Sequence, residues 1–180
     1  MTTNNLAEMT NNTMEEIIMR NALYMTNDEN WTQLTNTKHK GKTLPQVIFN
    51  DPDYFFWAYE NKVFKGHLSI QADKVYQKAR NIKVPQTGEY KSVVRYLIHK
   101  PTRKFATIEL IPESSLDYRG PDLILNVIDL SVPRQISRYD KLGSKNIISG
   151  TKAIVFENAE CKMTKKRCES FFDDDNNFVI

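Results

Sequence analysis

The alternation in KSVVRYLIHK, residues 91 to 100, constrains the fold more than any other stretch. Lys91, Val93, Arg95, Leu97 and His99 occupy every second position. In an extended strand they share one face, and Val94, Tyr96 and Ile98 share the other. The KPTRK turn leads into a second run of this kind, FATIELI, so the two are expected to form an antiparallel hairpin. DLILNVIDLSV and TKAIVFE supply further candidate strands. A meander or small barrel is the expectation for the second half of the chain.

Upstream of Pro85 the pattern changes. WTQLT and TLPQVIF read as two short strands around a polar turn, Lys38 to Lys42, that contains Gly41. Asp51 reads as a helix cap, and Pro52 after it costs no hydrogen bond at the first helical position. The segment DYFFWAYENK then forms a helix with Phe55 or Phe56 and Tyr59 on one side, and a second helix is expected over Ser69 to Asn81. Phe55, Phe56 and Trp57 are expected in the core, since a small module needs large side chains to hold together. Near the end, Thr164 can cap a last helix, KKRCESFF, with Cys168 and Phe171 or Phe172 facing inward. In the first thirty residues Met14, Ile17, Ile18 and Leu23 recur at near-helical spacing. The expected class is α+β: a small β-hairpin/helix module followed by a mostly antiparallel β-rich module with a C-terminal helix. The expected divisions are an acidic polar arm (1–30), the first module (31–86), a basic β-rich module (87–168) and an acidic aromatic tail (169–180).

Charge is partitioned along the chain in the same way. Residues 1–30 hold one arginine against five acids, 31–168 hold 24 Lys+Arg against 13 Asp+Glu, and 169–180 hold four acids and no base. A basic body of this kind suits a polyanion partner, because each cation that neutralises a phosphate releases counterions. The acidic end is expected to be drawn to the basic surface and to compete with phosphate for it.

Several chemistries find no support in the residue pattern. No run approaches the roughly 18 apolar residues that a membrane span requires, and MTTNNLAEMTNNTMEEIIMR is acidic where a signal peptide is basic and then apolar. No membrane partner and a cytoplasmic location, host cytoplasm for a phage protein, are therefore expected. Cys161 and Cys168 lie seven apart, a spacing of neither redox pairs nor zinc knuckles, and read as reduced structural thiols. Lys40-Gly41-Lys42-Thr43 suggests a phosphate loop, but Asn36 stands where that loop needs its first glycine. His39, His67 and His99 are scattered, so no metal site is assigned. Asp51 with Asp53, and Asp173 to Asp175, could hold magnesium for nuclease chemistry. A helix cap and a terminal tail account for them better. No catalytic residue and no cofactor is assigned.

Lys38-His39-Lys40-Gly41-Lys42-Thr43-Leu44, then Val47, then Asp51-Pro52-Asp53-Tyr54 and Trp57, resembles the small C-terminal module of exodeoxyribonuclease X-type proteins, also found in short stand-alone phage and bacterial proteins. The likeness covers about residues 31–65. It implies a lysine-rich turn joining two short strands, a helix opened by the D-P-x-Y segment, and an accessory, nucleic-acid-associated role without the nuclease domain. The end, SFFDDDNNF, resembles the acidic, phenylalanine-containing tips with which single-stranded-DNA-binding proteins dock on replication partners. That likeness implies partner contacts at Asp173, Asp174, Asp175 and Phe178.

Lys38, Lys40 and Lys42 are therefore expected at phosphates, with His39 or Tyr54 stacking on bases. A second basic patch is expected at Lys91, Arg95, His99, Arg103 and Lys104, with Tyr90 or Phe105 as its platform, unless that face pairs with acids such as Glu109 across the hairpin. The function that fits is a non-enzymatic nucleic-acid-binding accessory protein, DNA before RNA, of phage replication, recombination or transcription. The abundance of asparagine, sixteen residues, hints at an AT-rich genome such as many phages carry. The alternatives are a protein-binding module that grips a polymerase or nuclease, and a metal-dependent nuclease.

Overall fold

The computed structural model describes residues 30–86, 90–115 and 121–179. The chain divides into two compact units, Met1–Trp31 and Thr32–Ile180. Of the first, only Asn30 and Trp31 are described, and the helix expected near Met14 to Leu23 lies outside the described residues. The second unit is an α+β fold with antiparallel sheets.

Its first helices are α1 (Leu44–Asn50), α2 (Pro52–Glu60) and α3 (His67–Ala79). Helix α1 corrects the expected second strand. A short apolar run fits a buried helix as well as a strand, and here the local chemistry favours the helix. The Gln46 side chain accepts a hydrogen bond from the Thr43 amide at 3.1 Å, and Pro45 lies in the first turn. Leu44, Val47, Ile48 and Phe49 are all buried. What remains of the expected first hairpin is one antiparallel bridge, Gln33 to Thr43. Asp51 caps α2 as its residues predict, with its side chain accepting from the Tyr54 amide.

Strand β2 (Ser92–His99) lies between β3 (Lys104–Pro112) and β4 (Leu123–Leu125), antiparallel to both. The register sets Arg95 opposite Glu109 and Tyr96 opposite Ile108. The DLILNVIDLSV run divides. Its first part is β4, its middle is β5 (Val127–Ile128), and its last residue begins α4 (Val132–Ile136). Strand β5 pairs with β1 (Ile82–Lys83), and Ile82 also bridges Phe178. The buried Tyr96 hydroxyl donates to the Val127 carbonyl at 3.2 Å and accepts from the Asp129 amide at 2.6 Å. It thereby joins the three-stranded sheet to the β5 segment.

TKAIVFE is not a strand. It forms the end of α5 (Lys141–Val155), whose first turn is capped by Asp140, accepting from the amides of Leu142 and Gly143. Ile147, Ile148 and Thr151 are buried. Gly150 lets α5 lie close on β3, because a Cβ there would stand 2.5 Å from Ile108 Cγ1. Asn146 fastens the same contact by donating to the Ala106 carbonyl at 2.6 Å.

The last helix, α6 (Lys165–Asp173), has Thr164 as its cap and packs on α1. Phe49 meets Phe156, Phe171 and Phe172 edge-on, with centroids 5.5 to 6.0 Å apart, a geometry favoured by the ring quadrupoles. Burial raises the Cys168 thiol to about 12, so it is inert at neutral pH. The modules expected on either side of residue 86 belong to one unit: β1 pairs with β5, and α1 packs on α6. Segments of this size bury little surface alone and gain by sharing a core.

Candidate nucleic-acid interface

Around Gly41 the chain folds back in a compact turn. Leu34 and Lys42 pair through the backbone at 2.9 Å, and the Gly41 amide donates to the Leu34 carbonyl at 2.8 Å. Gly41 has φ +80°, a conformation that other residues adopt at a cost. Asp51, at the head of α2, holds the turn from below. Its Oδ2 lies 2.8 Å from Lys38 Nζ and 3.1 Å from His39 Nε2, while Oδ1 caps the helix. Burial opposes the Asp51 charge, but hydrogen bonds from Lys38, the Tyr54 amide and His39 outweigh it and hold the carboxyl below its usual range. Burial also lowers the His39 pKa, against the pull of Asp51.

This geometry divides the predicted residues. His39 is buried, with its ring 4.8 Å from that of Tyr54, so it supports Tyr54 and offers no face to a base. Lys38 lies 4.7 Å above the Tyr54 ring and keeps 59% of its side chain exposed. Lys40 is exposed and Lys42 half-buried, and neither makes an ion pair among the described residues. Phe55 and Phe56 are core, but Trp57, expected with them, is 45% exposed and 5.9 Å from Tyr54. The turn therefore presents lysines beside an accessible aromatic pair.

The second expected patch largely neutralises itself. Arg95 is bonded to Glu109 across the hairpin, and Lys91 lies 2.8 Å from Glu113. His99 Nδ1 lies 2.9 Å from the Thr102 hydroxyl. Phe105 is buried against Tyr96 and cannot serve as a platform, whereas Tyr90 is exposed. Arg103 and Lys104, at the hairpin tip, are exposed and without an ion pair among the described residues.

The tail is also corrected in part. Phe178 is buried against Phe171 and Phe172 and is not an exposed anchor. The Val179 amide donates to the Asn81 carbonyl at 2.8 Å, which fastens the end of the chain beside β1. Lys78 of α3, itself buried, donates to the Phe172 carbonyl and to Asp175 at 2.5 and 2.6 Å and lies 4.8 Å from the Phe178 ring. Asp174 accepts from the Asn176 amide, and Asp173 and Asp174 face solvent.

Two features lay beyond the sequence pattern. Arg134 of α4 grips Glu60 and Asp53 of α2 at 2.7 and 2.9 Å, beside a cleft of about 430 Å³ lined by Phe56, Tyr76, Arg80 and Arg138 among others. These contacts are long-range, so no local spacing reveals them. The other feature is how the acids of the basic body are used. Asp51, Asp53, Glu60, Glu109, Glu113 and Asp129 enter ion pairs. Asp73 accepts from the Tyr59 hydroxyl, Asp122 from the Ile98 amide, and Asp140 caps α5. Glu157 and Glu160 are the described carboxylates of the body left without such a partner.

Among the described residues, no three His, Cys, Asp or Glu side chains gather to hold a metal ion, and no helix is long and apolar enough to cross a membrane. Comparison of the chain with family models, curated proteins and solved structures finds no match.

Proposed function

We propose that this protein is a non-enzymatic nucleic-acid-binding accessory factor, of DNA before RNA, that acts in replication, recombination or transcription. The observation that carries the proposal is the fate of its charges. Almost every described carboxylate of the body is committed to a cap, an ion pair or a hydrogen bond, so the excess of Lys and Arg is left to face solvent. A surface of this kind attracts phosphate over a Debye length of about 8 Å at physiological salt. The turn at Lys38, Lys40 and Lys42, with Tyr54 and Trp57 beside it, adds cations next to aromatic faces, the combination that single-strand binders use. The likeness of this stretch to the exodeoxyribonuclease X accessory module, and a phage origin, belong to the same proposal.

The test is oligonucleotide binding at graded salt by the full chain and by K38A/K40A/K42A. The triple variant is expected to fold normally and bind more weakly, its salt slope smaller by about 0.7 to 0.9 for each phosphate it no longer neutralises. Absence of binding by the unmodified chain at low salt contradicts the proposal.

A further inference from the structure

Helix α5 contains no acidic residue. Its lysines are Lys141, Lys145 and Lys152, which at 3.6 residues per turn fall within about 40° of one another. They span eleven residues, about 16 Å of helix, which matches about five nucleotides stacked at 3.4 Å. Ile147 and Thr151, on another side of the helix, are buried, and so is Ile148, about 20° round from Lys141, so the lysine row runs along one edge of the exposed face. Lys141 and Lys145 are exposed and Lys152 half-buried, and none has an ion pair among the described residues.

Next to this row are two large exposed side chains. Tyr139 is 70% exposed and Leu142 is 67% exposed. Arg138 precedes them, exposed and without an ion pair among the described residues. Asp140, the one acid between Arg134 and Lys152, has its carboxylate turned to the Leu142 and Gly143 amides. From 132 to 168 the chain holds nine Lys+Arg against three acids.

From these observations, and resting on the nucleic-acid reading above, we infer that the solvent face of α5 is a binding track for single-stranded nucleic acid. Lys141, Lys145 and Lys152 follow consecutive phosphates, and Tyr139 stacks on a base at the end of the row beside Arg138. A row of point charges without base-edge donors reads backbone, not sequence, and an exposed aromatic ring rewards only unpaired bases. The track therefore favours single strands over duplex and has little sequence preference. It shares no residue with the Lys38 to Lys42 turn.

The test titrates the full chain, by fluorescence anisotropy, into a labelled fifteen-nucleotide oligo-dT and the matching duplex at several salt concentrations. K141Q/K145Q/K152Q is expected to lower the single-strand salt slope by about 2, at about 0.7 for each phosphate. Tyr139→Ala is expected to weaken single-strand binding by about tenfold, within the range of base–aromatic stacking, with the slope unchanged. Tyr139→Phe restores it. Tyr139, Lys141 and Lys145 are exposed and Lys152 is half-buried, and circular dichroism checks that each variant folds. If the unmodified chain binds and K38A/K40A/K42A weakens it while the α5 variants do not, the track is refuted and the nucleic-acid reading stands. Equal affinity for duplex and single strand refutes the single-strand assignment. Failure of the unmodified chain to bind either strand form at low salt overturns both.

Discussion

Two lysines in this molecule have the same kinds of neighbour, an aspartate and an aromatic ring, and opposite surroundings. Lys38 lies 2.8 Å from Asp51 and 4.7 Å from the Tyr54 ring, and Lys78 lies 2.6 Å from Asp175 and 4.8 Å from the Phe178 ring. The Lys38 side chain is 59% exposed, that of Lys78 only 4%. An exposed pair is screened and contributes little, so Lys38 can exchange Asp51 for a phosphate at small cost. Lys78 is buried, so solvent does not compete with the Phe172 carbonyl for it, and it is bound to the fold. One chemical grouping is thus open to solvent in the Lys38 turn and forms a buried clasp at Lys78, and burial decides between them.

The largest expected effect breaks the clasp. Phe178→Ala removes a buried ring and should cost about 3 to 5 kcal/mol. Its melting temperature should fall by about 10 °C, while oligonucleotide affinity of the folded protein stays the same. A loss of partner binding without a loss of stability would make Phe178 an anchor after all. Next is Lys78→Met, which keeps the bulk and leaves the Phe172 carbonyl without its donor. Chemical denaturation should show a loss of about 1 to 3 kcal/mol. An unchanged midpoint would mean that the two lysines do not differ.

Asp51→Asn sharpens the comparison from the exposed side. It retains a capping oxygen but loses the charge that Lys38 faces, so stability at pH 7 should fall by about 1 kcal/mol. The sign of the pH dependence follows from the depressed Asp51 pKa. Its contribution is complete above the ordinary carboxylate range and is lost as pH falls through the lower folded value. His39, also held below its usual 6.5, loses its contribution as pH falls from about 6.5 toward its folded value. Acid titration of unfolding should therefore show both losses in the natural chain and only the histidine's in the variant. The smallest effect on stability is Lys38→Ala, within about 1 kcal/mol. The same change should reduce the salt slope of binding by about 0.7 to 0.9, the reverse of the pattern at Lys78.

Legibility in the sequence followed the range of the interactions. Asp51-Pro52, Thr164 and the alternation of KSVVRYLIHK act over a few residues, and each element they predict is present. TLPQVIF and TKAIVFE were ambiguous because β-branched runs fit a buried helix as well as a strand. In the first, Gln46 three residues after Thr43 and Pro45 in the first turn were the available signals of a helix start. In the second, Gly150 weakened the helical pattern locally, and its reason, the closeness of Ile108, is a tertiary contact. A strand over the second half of α5, which the residues also allow, hides the exposed face of the helix. Phe178 and Lys78 lie a hundred residues apart, and no local pattern could announce that one clasps the other.

Lysine acetylation footprinting of the full chain, free and saturated with oligo-dT, tests the central contrast most directly. Lys78 should remain unlabelled in both states. Lys38, Lys40 and Lys42 should label in the free protein and be protected in the complex. Labelling of Lys78 at the rate of Lys38, or equal labelling of the turn with and without oligonucleotide, would contradict the account.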